Sequence, residues 1–171
     1  MRGIDYEAMY RYSAARPRLT TALHLADVAS VVLTVLSFIA LIVFSFIGGG
    51  FILSLKYLLF AAVPFILVSL FRHFFNAPRP SELFELEKIG LLYGVNKKGR
   101  SFPSRHVFSS FIIGTLLIPE LPVLGAVIIA LGVLIATSRV LLGIHFIRDV
   151  VTGAVIGALS GLIGDLFIAF I

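Results

Sequence analysis

The chain has 171 residues, of which 59% are hydrophobic and only 13% charged, and its mean hydropathy is +1.07. Values this apolar exclude an ordinary water-soluble domain and point to an integral-membrane protein of single-domain length. The formal charge of +5 suits anionic lipid surfaces and phosphate headgroups better than nucleic acid, and the absence of cysteine removes disulfides and thiolate metal sites.

Residues 1–26 mix Arg2, Arg11, Arg16 and Arg18 with Tyr6, Tyr10 and Tyr12, which predicts a segment lying at the membrane interface. A helical bundle is expected over 27–171, so that 1–171 forms one membrane domain. Its apolar stretches run Val28 to Ile47, Phe51 to Phe71, Ser104 to Ile118, Leu121 to Leu142 and His145 to Ile171. Most approach the roughly 20 residues that cross a hydrocarbon core of about 30 Å, which predicts an all-α bundle of about five transmembrane helices. The first stretch is too long for the core of a signal peptide and is expected to be retained.

Gly48-Gly49-Gly50 and Pro119-Glu120-Leu121-Pro122 read as tight turns. The one long connection runs from Arg72 to Pro103. Within it Ser81 to Tyr93 sets Leu83, Leu86 and Ile89 among Glu82, Glu85 and Lys88 at helical spacing, predicting a short amphipathic helix on the bilayer surface. Asn96-Lys97-Lys98-Gly99-Arg100 reads as a loop. In the last stretch Gly153, Gly157 and Gly161 form a four-residue ladder of the kind that lets a neighbouring helix approach closely in lipid. On the face away from the long loop, Lys56 and Asp165 are expected to pair, because a lone charge at that depth is costly.

Ionisable groups gather at one level of the bundle. Arg72 and Arg79 leave the second stretch, Ser104, Arg105 and His106 open the third, Ser138 and Arg139 close the fourth, and His145 and Asp149 open the fifth. Short turns on the other side put all of these ends on one membrane face. Each alone has a duller explanation, such as a snorkelling arginine or a helix-stabilising His–Asp pair. Their convergence points to a site, since intramembrane charges are functional candidates by default. Arginine forks bind phosphate oxygens bidentately. His145 and Asp149 stand four apart, so the carboxylate can accept the imidazole Nδ1–H and leave Nε2 as a nucleophile. His106 is then the candidate general acid, and the start of the third helix, capped by Ser104, offers N–H donors to an anion.

This arrangement resembles the signature of the type-2 phosphatidic acid phosphatase superfamily, which has Lys-x6-Arg-Pro, Pro-Ser-Gly-His and Ser-Arg-x5-His-x3-Asp. Here Arg72 with Arg79-Pro80 stands for the first, with arginine replacing lysine. Pro103-Ser104-Arg105-His106 stands for the second, with arginine replacing glycine, and Ser138-Arg139, His145 and Asp149 complete the third. The resemblance implies that His145 attacks phosphorus to form a phosphohistidine, that Asp149 orients it and that His106 protonates the leaving oxygen. It further implies that Arg72, Arg79, Ser104 and Arg139 hold the phosphoryl oxygens. Arg105 is a further candidate for phosphate, and with no cluster of acids to hold Mg²⁺ or Ca²⁺ no metal or other cofactor is expected. Arg105 is the departure, since it adds bulk and charge where glycine lets backbone approach the phosphate.

The expected activity is therefore metal-independent hydrolysis of a lipid phosphate monoester or diphosphate in the bilayer. The rival reading is a non-catalytic phospholipid carrier or phosphate-lipid sensor, which would need the arginines but not two histidines and an acid. Phosphatidic acid, phosphatidylglycerophosphate, a polyprenyl diphosphate and a polyprenyl-phosphosugar phosphate all fit, and oligomeric state is not legible. Of the 14 Lys and Arg, only Lys56 lies toward the face opposite the site. The positive-inside rule thus predicts a multi-pass protein of the cell membrane with its site on the cytoplasmic face, even after Arg72, Arg79, Arg105 and Arg139 are discounted.

Overall fold

The computed structural model describes residues 5–91 and 98–170. Helix α1 spans Tyr6–Ala14, with the Asp5 carboxylate accepting the Ala8 N–H at 3.0 Å as its N-cap. Pro17 starts α2, Pro17–Phe75, which reverses at Gly50 (φ 73°, ψ −169°) into two antiparallel arms, 17–49 and 51–75. The Ser54 hydroxyl donates to the Ile42 carbonyl across the two arms at 3.2 Å. A positive φ at this turn is the conformation for which glycine has no Cβ penalty. After α2 come α3, Pro80–Leu83, a one-turn 3-10 helix at Leu86–Ile89, then α4, Arg105–Leu117, α5, Pro122–Leu141, and α6, Ile147–Phe170.

The burial pattern is that of a protein dissolved in lipid. Along the first arm of α2 the inward residues, Leu41 apart, are Thr20, Asp27, Ser30, Thr34, Ser37 and Ser45, while Val32, Leu36, Ile39 and Val43 face outward. Small and polar side chains let helices approach and hydrogen-bond, as where Thr34 and Ser110 meet at 3.0 Å. Among the described residues three helices, α2, α5 and α6, are long and apolar enough to cross a membrane. Helix α4 has 13 residues, about 20 Å, and is the buried centre of the bundle, with Phe108, Ile112 and Leu116 in its core. Helix α6 lies directly against it. A Cβ on Gly153 would come within 2.6 Å of the Ser104 carbonyl oxygen, and one on Gly157 within 2.5 Å of that of Phe108.

The structure changes several boundaries or contacts expected from sequence. Helix α2 begins at Pro17, ahead of the apolar run, because Thr20 and Asp27 bury inward and extend the bundle helix through a segment that reads as interfacial. Helix α1 packs against the long loop through one face: Tyr10 is fully buried against Leu86 and Leu91. The short helix of the long loop is two one-turn pieces, separated where Glu85 takes a left-handed φ of 45°. Residues 92–97, including Tyr93, Asn96 and Lys97, lie outside the described residues. Finally, no Lys56–Asp165 ion pair forms; Tyr57 instead donates to Glu120 at 3.2 Å.

Candidate functional site

The turn between α5 and α6 is a Schellman motif. Gly143 takes φ 69°, its N–H meets the Val140 carbonyl, and the Ile144 N–H meets that of Arg139 at 2.9 Å. This closes the end of α5 and delivers His145 to the bundle interior, 2% exposed. His145 precedes α6 rather than opening it. Asp149, in the first turn of α6, accepts the Phe146 N–H at 3.1 Å, which fixes the carboxylate at the helix start.

His145 Nδ1 stands 3.5 Å from Asp149 Oδ2, and Ser101 Oγ lies closer, 3.2 Å from Nδ1, while donating to Asp149 Oδ2 at 2.5 Å. The serine thus sits between imidazole and carboxylate. With Nδ1–H directed at these acceptors, Nε2 keeps its lone pair. Burial above all lowers the His145 pKa to about 4, against the pull of the Asp149 hydrogen bond, with the charges of Arg79 and Arg139 adding to the fall. The ring is therefore neutral at physiological pH.

Arg139, in the last turn of α5, forms a bidentate pair with Asp27 of α2 at 2.8 and 2.9 Å. Its remaining amino group stands 3.0 Å from His106 Nδ1. A guanidinium can only donate, so this contact makes Nδ1 the acceptor and leaves the His106 proton on Nε2. Arg72 donates to the carbonyls of Ser101 and Pro103, and Arg79 donates to those of Gly99 at 3.0 Å and Ile144 at 3.1 Å. Both arginines are nearly buried and brace the loop that precedes α4. Ser104 is the N-cap of α4, and its hydroxyl is buried without a hydrogen-bond partner among the described residues, as is that of Ser138.

Beside this cluster opens a cleft of about 620 Å³ lined by Arg72, His73, Arg79, Lys98, Arg100 and Arg105, with Phe65, Ile66 and Leu70 on its apolar side. Arg105 turns away from the imidazoles toward α2, its guanidinium 3.5 Å from Ser69 Oγ and 5.8 Å from the Phe65 ring centroid. The fold thus brings His145, Asp149, His106, Ser104, Arg72, Arg79 and Arg139 to one end of the bundle, with Arg105 on the cleft wall. Ser101 and Asp27 were not among the candidates from sequence. Asp27 does carry a signal there, since a lone acid at the edge of a long apolar run calls for a partner.

Two histidines, a carboxylate and guanidinium groups thus gather around a helix start, enclosed by lipid-facing helices. The chain belongs to the PAP2 superfamily, whose sequence pattern matches residues 53–168. It is a membrane hydrolase acting on lipid phosphate. Its structure is similar to that of LpxE from Aquifex aeolicus, with 32% identity, 83% of this chain and 86% of that one covered, and a TM-score of 0.63. The fold is also that of a transmembrane PAP2-type phosphatidylglycerolphosphate phosphatase from Bacillus subtilis, at 22% identity, 95% and 83% coverage, and a TM-score of 0.69. No protein of curated function matches the chain.

Proposed function

We propose that the protein hydrolyses a lipid phosphate through a phosphohistidine on His145, without a metal. The observation that carries this reading is the buried His145 ring with its Nδ1 side turned to Ser101 and Asp149, which leaves Nε2 unprotonated. Nε2 attacks phosphorus, the bond to the lipid oxygen breaks, and the imidazolium so formed is stabilised by Asp149. Arg72, Arg79, Arg139, the Ser104 hydroxyl and the α4 N-terminus hold the phosphoryl oxygens as charge redistributes among them. His106 gives a proton to the leaving oxygen. To do so it must first become an imidazolium, which an adjacent phosphoryl dianion favours while competing for the Arg139 amino group. Water then cleaves the N–P bond with His106 as base.

The rival carrier or sensor reading needs no such pair of histidines. Purified protein releasing phosphate from phosphatidic acid, phosphatidylglycerophosphate or a polyprenyl diphosphate in EDTA is the expected result; binding without release would favour the rival. On this reading the two arms of α2 with α5 and α6 cross the bilayer around the shorter, buried α4, with α1 at the interface, and the positive-inside rule gives the site to the cytoplasmic face. In intact cells a membrane-impermeant thiol reagent should label Gly48→Cys and spare Lys88→Cys, and the reverse pattern would turn the site outward. Both positions suit the test: a Cβ on Gly48 meets nothing within 4 Å, and the Lys88 side chain is 73% exposed.

A further inference from the structure

Three features of the cleft call for more than one phosphate. Five fixed cations line it, Arg72, Arg79, Lys98, Arg100 and Arg105, and none has a carboxylate within 4.0 Å among the described residues. Glu82, at the edge of this cluster, spends its Oε1 on the backbone N–H groups of Arg79 and Gly99. A phosphate monoester supplies at most about two negative charges, too few for such a surface.

The second feature is where the hydrocarbon must go. An apolar groove of about 270 Å³ continues from the cleft between the second arm of α2 and α4, lined by Phe38, Ala61, Ile112 and Ile113 and sharing Phe65 and Ile66 with the cleft. It suits an alkyl or prenyl chain reaching sideways into the bilayer. The third feature is the place of Arg105. Its guanidinium lies by Phe65 and Ser69, where groove and cleft join, and not among the imidazoles. A chain in the groove with its terminal phosphoryl at Arg72 and Arg79 brings the part of the lipid between them past Arg105.

Resting on the phosphatase reading, we infer that Arg105 forms a second anion subsite, and that the substrate is a lipid carrying another phosphate between its hydrocarbon chain and the scissile phosphoryl group. That second phosphate stays with the lipid product. In a diphosphate, His145 Nε2 bonds the terminal phosphorus, the bond from that phosphorus to the bridging oxygen breaks, and His106 protonates the departing lipid monophosphate. Water then returns the histidine and releases inorganic phosphate. The arginine that replaces glycine in Pro103-Ser104-Arg105-His106 thereby acts as a specificity determinant.

The test uses two matched pairs in detergent micelles, farnesyl diphosphate against farnesyl monophosphate and phosphatidylglycerophosphate against phosphatidic acid. Native protein should favour the two-phosphate member of at least one pair, which also tells a directly bridged from a spaced second phosphate. Arg105→Gly should reduce that kcat/KM ratio about tenfold, the factor for about 1.4 kcal/mol, mostly through KM. Arg105→Lys, which keeps the charge, should retain part of the preference. Arg105 is exposed, and melting temperature controls for loss of folding. A native ratio near one in both pairs, or a ratio unmoved by Arg105→Gly, would overturn the subsite while leaving the phosphatase intact. Absence of phosphate release from all four lipids would remove the phosphatase reading itself.

Discussion

The two halves of the bundle hold their helices by different means. At the site end, positions are set by directional bonds: the Arg139–Asp27 fork, the Ser101 bridge from His145 to Asp149, and Arg72 and Arg79 on loop carbonyls. Toward the other end, contact is set by missing side chains, with Gly157 against the Phe108 carbonyl and Gly161 against Thr115 and the Ile112 carbonyl. In lipid there is no hydrophobic drive between helices, so close packing supplies the attraction while polar groups supply the geometry. The two meet at Gly153, whose approach to the Ser104 carbonyl ties the glycine ladder to the cap of α4. Packing should therefore govern stability first, and the polar end should govern rate first.

The largest expected effect is on the packing side. Gly157→Leu drives a branched side chain into backbone that cannot yield, and it should lower melting temperature in detergent sharply and reduce activity with it. Unchanged melting would remove the ladder from the account. Next is Asp27→Asn, which leaves the buried Arg139 without its counter-charge; breaking such a pair costs about 3–5 kcal/mol. Because Arg139 also meets His106, kcat should fall even at temperatures where the variant stays folded, and equal loss of folded protein and rate would make Asp27 structural only.

Smaller still is Ser101→Ala, which removes one hydrogen bond to each of His145 and Asp149. A fall in kcat of about tenfold, with KM and melting little changed and partial rescue in Ser101→Thr, is expected from a group worth about 1–2 kcal/mol of orientation. An equal change in KM would argue for a role in binding. The last effect is on pH dependence. Folded His145, at about 4, binds fewer protons than the unfolded chain with its ordinary value near 6.5. Its contribution to stability is thus full above the unfolded value and is lost as pH falls from about 6.5 to 4. Over that window the native melting temperature should drop more than that of His145→Gln, and parallel curves would contradict a buried neutral imidazole.

The site was legible in the sequence wherever its residues are held by local spacing. His145 with Asp149, Ser138-Arg139 and Ser104 with His106 are each set within a few residues, so a spaced motif carries them. Asp27 lies 112 residues from Arg139, and only the fold brings them together. Ser101, three residues ahead of Ser104, resembles any loop serine until the chain turns its hydroxyl onto Asp149. The helices were legible from apolar runs, but their ends were not. Pro17 and the inward polar stripe extend α2 beyond its apolar core, and the left-handed Glu85 interrupts a helix that periodicity alone would carry through. Lys56 and Asp165 share a depth without sharing a contact, because depth along a helix says nothing of azimuth.

The most direct test of the central claim is to trap the phosphoenzyme. Protein mixed with a phosphate-labelled lipid substrate in EDTA should be quenched in alkali, where a phosphohistidine survives, then digested and read by mass spectrometry. The account predicts phosphate on His145 in the native protein, more of it in His106→Ala if hydrolysis of the intermediate is slowed, and none in His145→Ala. Phosphate on any other residue, or turnover persisting in His145→Ala, would contradict it.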